Sequence, residues 1–312
     1  MTTIDWPELS YASWRDTLVT LQLWTQVVGK IRLSLTPWLN HSWQVPLYLT
    51  AHGLGTTPIY YGSDALEFEF DFLRSQLRVR SSADQERTLP LEAQSVADFY
   101  IRLMQLLREL NVKVSINELP CELLQPIRFS QDRVHASYDA EAVRRFWRVL
   151  LQADRVLKLF RSGFIGKASP VHFFWGSFDL AVTRFSGRRA PLHPGGVPGL
   201  RDEVTREAYS HEVSSAGFWP GNEAYPHAAF YSYAYPEPAH YRDYALAPPG
   251  RYEDSLHEFI LPYEAVRTAS DPDALLLNFL AGTYAAAADN AHWDRQGLEC
   301  PLGVPGRVRP LG

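Results

Sequence analysis

Residues 169–199 read SPVHFFWGSFDLAVTRFSGRRAPLHPGGVPG. Two runs rich in aromatic and β-branched residues flank Gly176–Ser177, and glycine can supply the positive φ of a tight primed turn. The pattern therefore predicts a hairpin in which Trp175 faces Phe178, Phe174 faces Asp179, Phe173 faces Leu180 and His172 faces Ala181. Successive side chains of a strand point to opposite faces. Val171, Phe173, Trp175, Phe178, Leu180 and Val182 then share one face, an apolar core face. His172, Phe174, Asp179, Ala181 and Thr183 share the other. The polar residues of an otherwise apolar stretch fall together, with His172 and Asp179 as diagonal neighbours.

A carboxylate beside an imidazole raises its pKa and fixes its tautomer, as a general base or a metal ligand requires. His172 is thus the candidate base or ligand and Asp179 its orienting group; the plain alternative is a histidine hydrogen-bonded to backbone under a helix. The segment after Phe185, SGRRAPLHPGGVPGLRD, sets Arg184, Arg188, Arg189 and Arg201 around a Gly/Pro-rich loop that holds His193. Guanidinium groups suit a carboxylate or phosphate, so Arg184 or Arg188 is a candidate anion clamp, against the alternative of a solvated loop. HPGG lacks the GxxxxGK[ST] order of a P-loop. Further on, YSHEVSSAGFWPG places His211 and Glu212 on a predicted strand over 210–217 and presents Trp219 in a turn. His211 is a candidate acid or second ligand. HExxH is absent, because residue 215 is Ser. His172, His211 and His227 on neighbouring strands, with Asp179 or Glu212, form a candidate divalent-metal set.

Outward from this region, helical periodicity covers 14–30, the segment after the N-cap Ser95, the segment after Asp139, and the alanine-rich run after Asp271. Period-two strands are expected over 43–53, 65–72, 75–82, 227–235 and 256–261. In EFEFDF, Glu67, Glu69 and Asp71 read as a solvated sheet face opposite Phe68, Phe70 and Phe72. The order helix, strands, helix occurs twice, and Gly29–Lys30 matches Gly166–Lys167 at what reads as a helix stop. The expected fold is α+β: two related halves, 1–138 and 139–312, each an antiparallel sheet flanked by helices. They form one compact body with the sheets side by side or fused, consistent with an internal duplication.

Composition narrows the function classes. The chain has 312 residues, a net charge of −5, 46% hydrophobic and 13% aromatic residues. The acidic balance argues against a general nucleic-acid binder, which needs a cationic surface to displace counterions, while local basic clusters could still bind a small anion. Two cysteines, Cys121 and Cys300, give neither a disulfide framework nor a metal spacing, and Cys121 reads as a buried thiol. MTTIDWPELSYASW carries no secretory pattern, and no apolar run reaches the roughly 18 residues of a membrane span. These features together suggest a reduced, cytoplasmic protein with no membrane partner. GxSxG and GxGxxG signatures are absent.

The segments LWTQVVGKIRL, VPLYLTAHGL, SVADFY, HASYD, RFWRVL, SPVHFFWGSFDLAVTRFSGR, HPGGVPG, YSHEVSSAGFWPG and LPYEAVRTA resemble an uncharacterised bacterial family, a domain of unknown function, over nearly the whole chain. The resemblance implies no activity, cofactor or catalytic residue. From the residues, three readings follow. One is an enzyme doing acid–base or metal-assisted chemistry on a small anionic or aromatic molecule, with His172, Asp179 and His211 at its centre and Arg184, Arg188, His193 and Trp219 on the substrate. The second is a non-catalytic small-molecule-binding protein. The third is a structural or interaction subunit.

Overall fold

The first periodic segment forms α1 (Tyr11–Leu35), which continues through Gly29–Lys30 instead of stopping there. The expected helix stop is thus overturned, and the reason for the glycine is contact. A Cβ on Gly29 would lie 2.2 Å from atoms of the Trp175 indole. Trp175 also donates from Nε1 to the Val45 carbonyl at 2.9 Å. The computed structural model describes residues 6–309; residues 1–5, on which part of the amino-terminal reading rests, and 310–312 lie outside the described residues.

After α1 come β1 (Tyr48–Leu49), β2 (Gly53–Gly55), β3 (Ile59–Tyr61), β4 (Asp64–Asp71), β5 (Gln76–Ser81) and β6 (Gln85–Pro90). They form an antiparallel sheet ordered β1-β2-β4-β5-β6, with β3 also on β4. Phe68, Phe70 and Phe72 are buried on one face as the alternation requires. The opposite stripe is not a plain solvated face. Asp71 is fully buried, accepting from the Arg74 backbone and guanidinium at 2.9 Å each, so it holds the turn into β5. Glu69 is also buried, beside Arg78. α2 (Val96–Glu109) closes this half, capped by Ser95, whose hydroxyl accepts from the Asp98 N–H at 3.1 Å.

α3 (Ala140–Ser162) opens the second half, with the Asp139 side chain capping two backbone N–H groups. Then follow β7 (His172–Phe174), β8 (Asp179–Arg189), α4 (Asp202–Ala208), β9 (His211–Trp219), β10 (Ala229–Tyr235), β11 (Arg251–Glu253), β12 (Glu258–Pro262), α5 (Tyr263–Arg267), α6 (Pro272–Asn290) and α7 (Arg295–Leu298). The second antiparallel sheet is ordered β11-β12-β10-β9-β8-β7. Helix, sheet, helix therefore recurs with six strands in each sheet, while β12 between β10 and β11, and β3 beside β4, distinguish the two strand orders. The sheets meet at their edges: the Leu47 N–H donates to the Phe173 carbonyl at 2.8 Å and the Phe173 N–H to the Leu47 carbonyl at 2.7 Å.

α3 and α6 cover one face of the second sheet. The apolar core is continuous through both halves, and Trp6 reaches across to Phe230 and Tyr263. Among the described residues no helix is long and apolar enough to cross a membrane.

Gly29 gives a direct check on how the halves are joined. In a free helix Gly→Ala is favourable by about 1 kcal/mol. Here Gly29→Ala is expected to destabilise by about 1–3 kcal/mol in urea unfolding, as overpacking does. Trp175→Leu in the Gly29→Ala background should recover part of that loss. A stabilised Gly29→Ala protein would show that the indole is not pressed against α1.

Candidate functional site

The hairpin forms with the expected register, His172 opposite Ala181, Phe173 opposite Leu180 and Phe174 opposite Asp179. Its turn is longer than two residues. Residues 175–178 make the connection, and the positive φ, 61°, falls on Phe178, not on Gly176. Phe178 can hold that conformation because its ring is buried, stacked on Phe146 at 5.4 Å and edge-on to Phe173 at 5.0 Å. Gly176 serves a different need: a Cβ there would sit 2.0 Å from a carboxylate oxygen of Glu122.

The polar face of β8 continues across the sheet. Ala181 aligns with Gly217 and Tyr231, Thr183 with Ser215 and Tyr233, and Phe185 with Val213 and Tyr235. Glu258 shares this face, two residues before Ile260, the partner of Tyr231. These rows form the wall of a cavity between the halves. Its inner lobe, about 300 Å³, is apolar: Trp38, Trp43, Val45, Phe174, Trp175, Phe185 and Val213 line it. The outer lobe, about 620 Å³, is lined by His193, Trp219, Tyr235, Glu237, His257 and Glu258 among others. Glu122, Ser177, Asp179, Tyr209, Tyr231 and Tyr233 border both lobes. The loop after β8 and α4 form the cover, with Val197, Leu200, Val204 and Thr205 facing inward. The cover is tied to the first half: Glu207 accepts from the His41 N–H at 2.9 Å, Pro198 O from the Glu122 N–H at 2.8 Å, and Ala208 O meets His41 Nδ1 at 2.8 Å.

Two carboxyl groups, Asp179 and Glu122, stand where the lobes join, and Glu258 in the outer lobe is near enough to Asp179 to feel its charge. Asp179 accepts from the hydroxyls of Tyr231 and Ser177. Tyr231 reaches it by lying across Gly217, where a Cβ would come within 2.6 Å of the phenol oxygen. Tyr209 and Tyr233 pair their hydroxyls at 2.8 Å. Burial raises the pKa of Asp179 above the ordinary carboxylate range. Burial, then repulsion from Asp179, pushes Glu122 up to about 7 and Glu258 up to about 8. Glu122 also holds a left-handed backbone, φ 60°, a conformation costing on the order of 1 kcal/mol or more outside glycine.

Of the residues singled out from the sequence, Asp179, His193 and Trp219 line this cavity. His193 stacks on Tyr209 at 4.8 Å, and its Nδ1 accepts from the Gly195 N–H at 3.0 Å. The expected His172–Asp179 pair is not formed. His172 is 1% exposed, boxed by Phe174, Tyr48 and Trp43, and neither ring nitrogen makes a hydrogen bond among the described residues. Burial, then the charges of Arg32 and Arg161, lowers its pKa to about 3, so the ring is neutral. Asp179 turns instead to its two hydroxyl donors.

His211 lies at the start of β9 beside Ser210 and the His41 ring. Arg184 points to the helix face, buried over the rings of Phe160, Tyr284 and Phe164, with Nη2 donating to the Phe160 carbonyl at 2.5 Å. Burial lowers its pKa to about 10. Arg188 bonds Glu212 at 2.7 Å and the Ala291 carbonyl at 2.5 Å, closing the C-terminal end of α6. Neither arginine reaches the cavity, so the anion clamp is not assembled. His227 packs its ring against Tyr225, and Glu212 is held by Arg188. Among the described residues no three His, Cys, Asp or Glu side chains are grouped to hold a metal ion, so His172, His211, His227 and Glu212 do not make the expected set. The cysteines are free, and Cys121 is buried with its thiol pushed up to about 12.

Sequence reasoning missed Glu122, Glu258 and His41. The available signals were a glutamate among apolar residues in PCELL and another inside the strand HEFIL.

Fold and site together define an α+β protein of two sheet halves whose facing surfaces line a largely aromatic cleft with an acidic waist. The chain belongs to the Family of unknown function (DUF5996), whose family model matches residues 6–300, in keeping with the resemblance to a domain of unknown function. No curated protein and no solved structure matches it.

Two outcomes are expected. His172→Leu, which removes two unpaired buried nitrogens, should leave thermal stability unchanged or higher; a loss of more than about 2 kcal/mol would show that the imidazole makes bonds of its own. Glu122 has a folded pKa above its ordinary 4.5, so its contribution to stability is complete below 4.5 and is lost as pH rises through about 7. Glu122→Gln should therefore be more stable than the parent at pH 8 by on the order of 1–3 kcal/mol, with a smaller gain at pH 5, measured by urea unfolding.

Proposed function

We propose that the protein binds a small molecule in the cavity between its halves, with an apolar or aromatic body in the inner lobe and a polar head at the Asp179–Glu122–Glu258 waist. The observation that carries this is the inner lobe itself. Its walls come from both halves, α4 and the preceding loop cover part of it, and its size suits a compact organic ligand. The aromatic part of the sequence expectation is kept; the anionic part is dropped, because the arginines lie elsewhere and carboxyls stand in their place.

An acid–base enzyme is the second reading, favoured by one observation. Glu122 and Glu258 titrate near neutrality, at about 7 and about 8, as groups that give and take protons at physiological pH must. In that reading these two carboxyls, and not His172, are the proton carriers. The two free cysteines favour a reducing, cytoplasmic setting, and the family resemblance a bacterial one. The recurrence of helix, sheet, helix favours an internal duplication.

A fluorescence titration against aromatic small molecules tests the binding reading, because Trp38, Trp43 and Trp175 line the inner lobe. Ligands should change tryptophan emission and raise the melting temperature. Both effects should disappear in Ser215→Phe, whose ring would project from the centre of the wall and fill the lobe. Binding that survives Ser215→Phe in a folded protein, or no binding by the parent, would overturn the assignment.

A further inference from the structure

We propose that the occupant of the cavity is an organic amine bound as its cation, with the ammonium seated among Asp179, Glu122 and Glu258 and the carbon skeleton in the inner lobe; this rests on the cavity being a binding site.

The three carboxyls come from separate parts of the chain: the 121–122 segment, β8 and β12. Each of the two glutamates feels Asp179 as a repelling charge, and no lysine, arginine or histidine lowers the pKa of any of the three. Asp179 has two hydroxyl donors, whereas no hydrogen bond from a described residue reaches the Glu122 or Glu258 side chains. Asp179 is buried and Glu122 and Glu258 are half-buried, and a carboxylate partly withdrawn from water is stabilised by a cation beside it. The cations once assigned to this region are used elsewhere, Arg184 under the helices and Arg188 at the end of α6. A positive ligand is the missing partner.

The walls suit an organic cation better than a metal ion. The carboxyls are near enough to repel, yet the described residues contain no group of three spaced to ligate one ion. Tyrosine rings stand at the same junction: Tyr231 and Tyr233 lie nearly parallel with centroids 6.1 Å apart, and an aromatic face attracts an ammonium. Independently of the acidic groups, two residues that line the inner lobe carry unpaired polar atoms. Gln44 and Thr205 are 4% and 3% exposed, and among the described residues their Nε2 and Oγ1 have no hydrogen-bond partner. The class is therefore an amine with an apolar or aromatic body.

The test uses the full chain and four probes: 2-phenylethylamine, its neutral counterpart 2-phenylethanol, the anion phenylacetate, and calcium ion alone. Calorimetry at pH 8 is expected to show the amine binding at least tenfold more tightly than the alcohol, with phenylacetate and calcium not binding. Glu258→Gln and Asp179→Asn should each weaken the amine at least tenfold and leave the alcohol within about twofold, with melting temperatures confirming that both variants fold. The alcohol or the anion binding as tightly as the amine, with Ser215→Phe blocking it, would overturn the amine while keeping the cavity as a binding site. Calcium binding lost in Asp179→Asn would replace the amine with a metal ion. No amine binding by the parent, together with no aromatic ligand at all, would remove both this inference and the binding reading beneath it.

Discussion

Three polar side chains one turn apart on α1 fix everything that surrounds the cavity. Gln22 donates to the Gly176 carbonyl at 2.7 Å, Gln26 exchanges two 3.0 Å bonds with the backbone of Cys121, and Lys30 donates to the Leu119 carbonyl at 2.6 Å. Residues spaced i, i+4 stand in a row on one helix face. That row therefore holds the hairpin turn of the second half and the 119–122 segment of the first in a set relation. Trp175 pressed on Gly29 adds the apolar part of the same joint. Gly176 and Glu122 are thereby brought into contact, which is why the turn carries a glycine and why a carboxyl arrives beside Asp179.

What the sequence made legible is what alternation controls. The pairing of His172 with Ala181 and of Phe174 with Asp179 follows from centring the hairpin on Gly176–Ser177, and its division into a core face and a polar face follows from period two. The caps at Ser95 and Asp139 follow from local chemistry in the same way. Side-chain direction beyond the face is another matter. Whether Asp179 turns to His172 or to a tyrosine two strands away depends on Gly217 leaving room for the Tyr231 ring. His172 is closed off by Trp43 and Tyr48, residues of the other half more than a hundred positions earlier.

Glu122 shows the limit most clearly. It lies in a segment with no periodicity, in a backbone conformation that glutamate rarely adopts, and its position comes from Gln26 and Pro198 rather than from its neighbours in sequence. Gly29–Lys30 fails for the opposite reason. Its local signal is a good helix stop, and tertiary packing of an indole overrides it. The charged stripe on β4 behaves likewise, since Asp71 is drawn inward to hold the turn at Arg74. Local rules predicted elements and faces here, and the contacts between halves decided what those faces meet.

The strict two-residue repeat of the cavity wall also limits how the chain can change in length. One residue added or removed between Asp179 and Phe185 would exchange the rows: Leu180, Val182 and Arg184 would turn into the cavity and the aspartate would go under α3. Every ring and hydroxyl contact across β9 and β10 would be lost at once. Between Phe185 and Arg189, by contrast, the register against β9 already shifts, and a bulge absorbs an extra residue without inverting the faces. Insertions and deletions in β8 should therefore be confined to that bulge and the loop beyond it, leaving the stretch from 179 to 185 fixed in length.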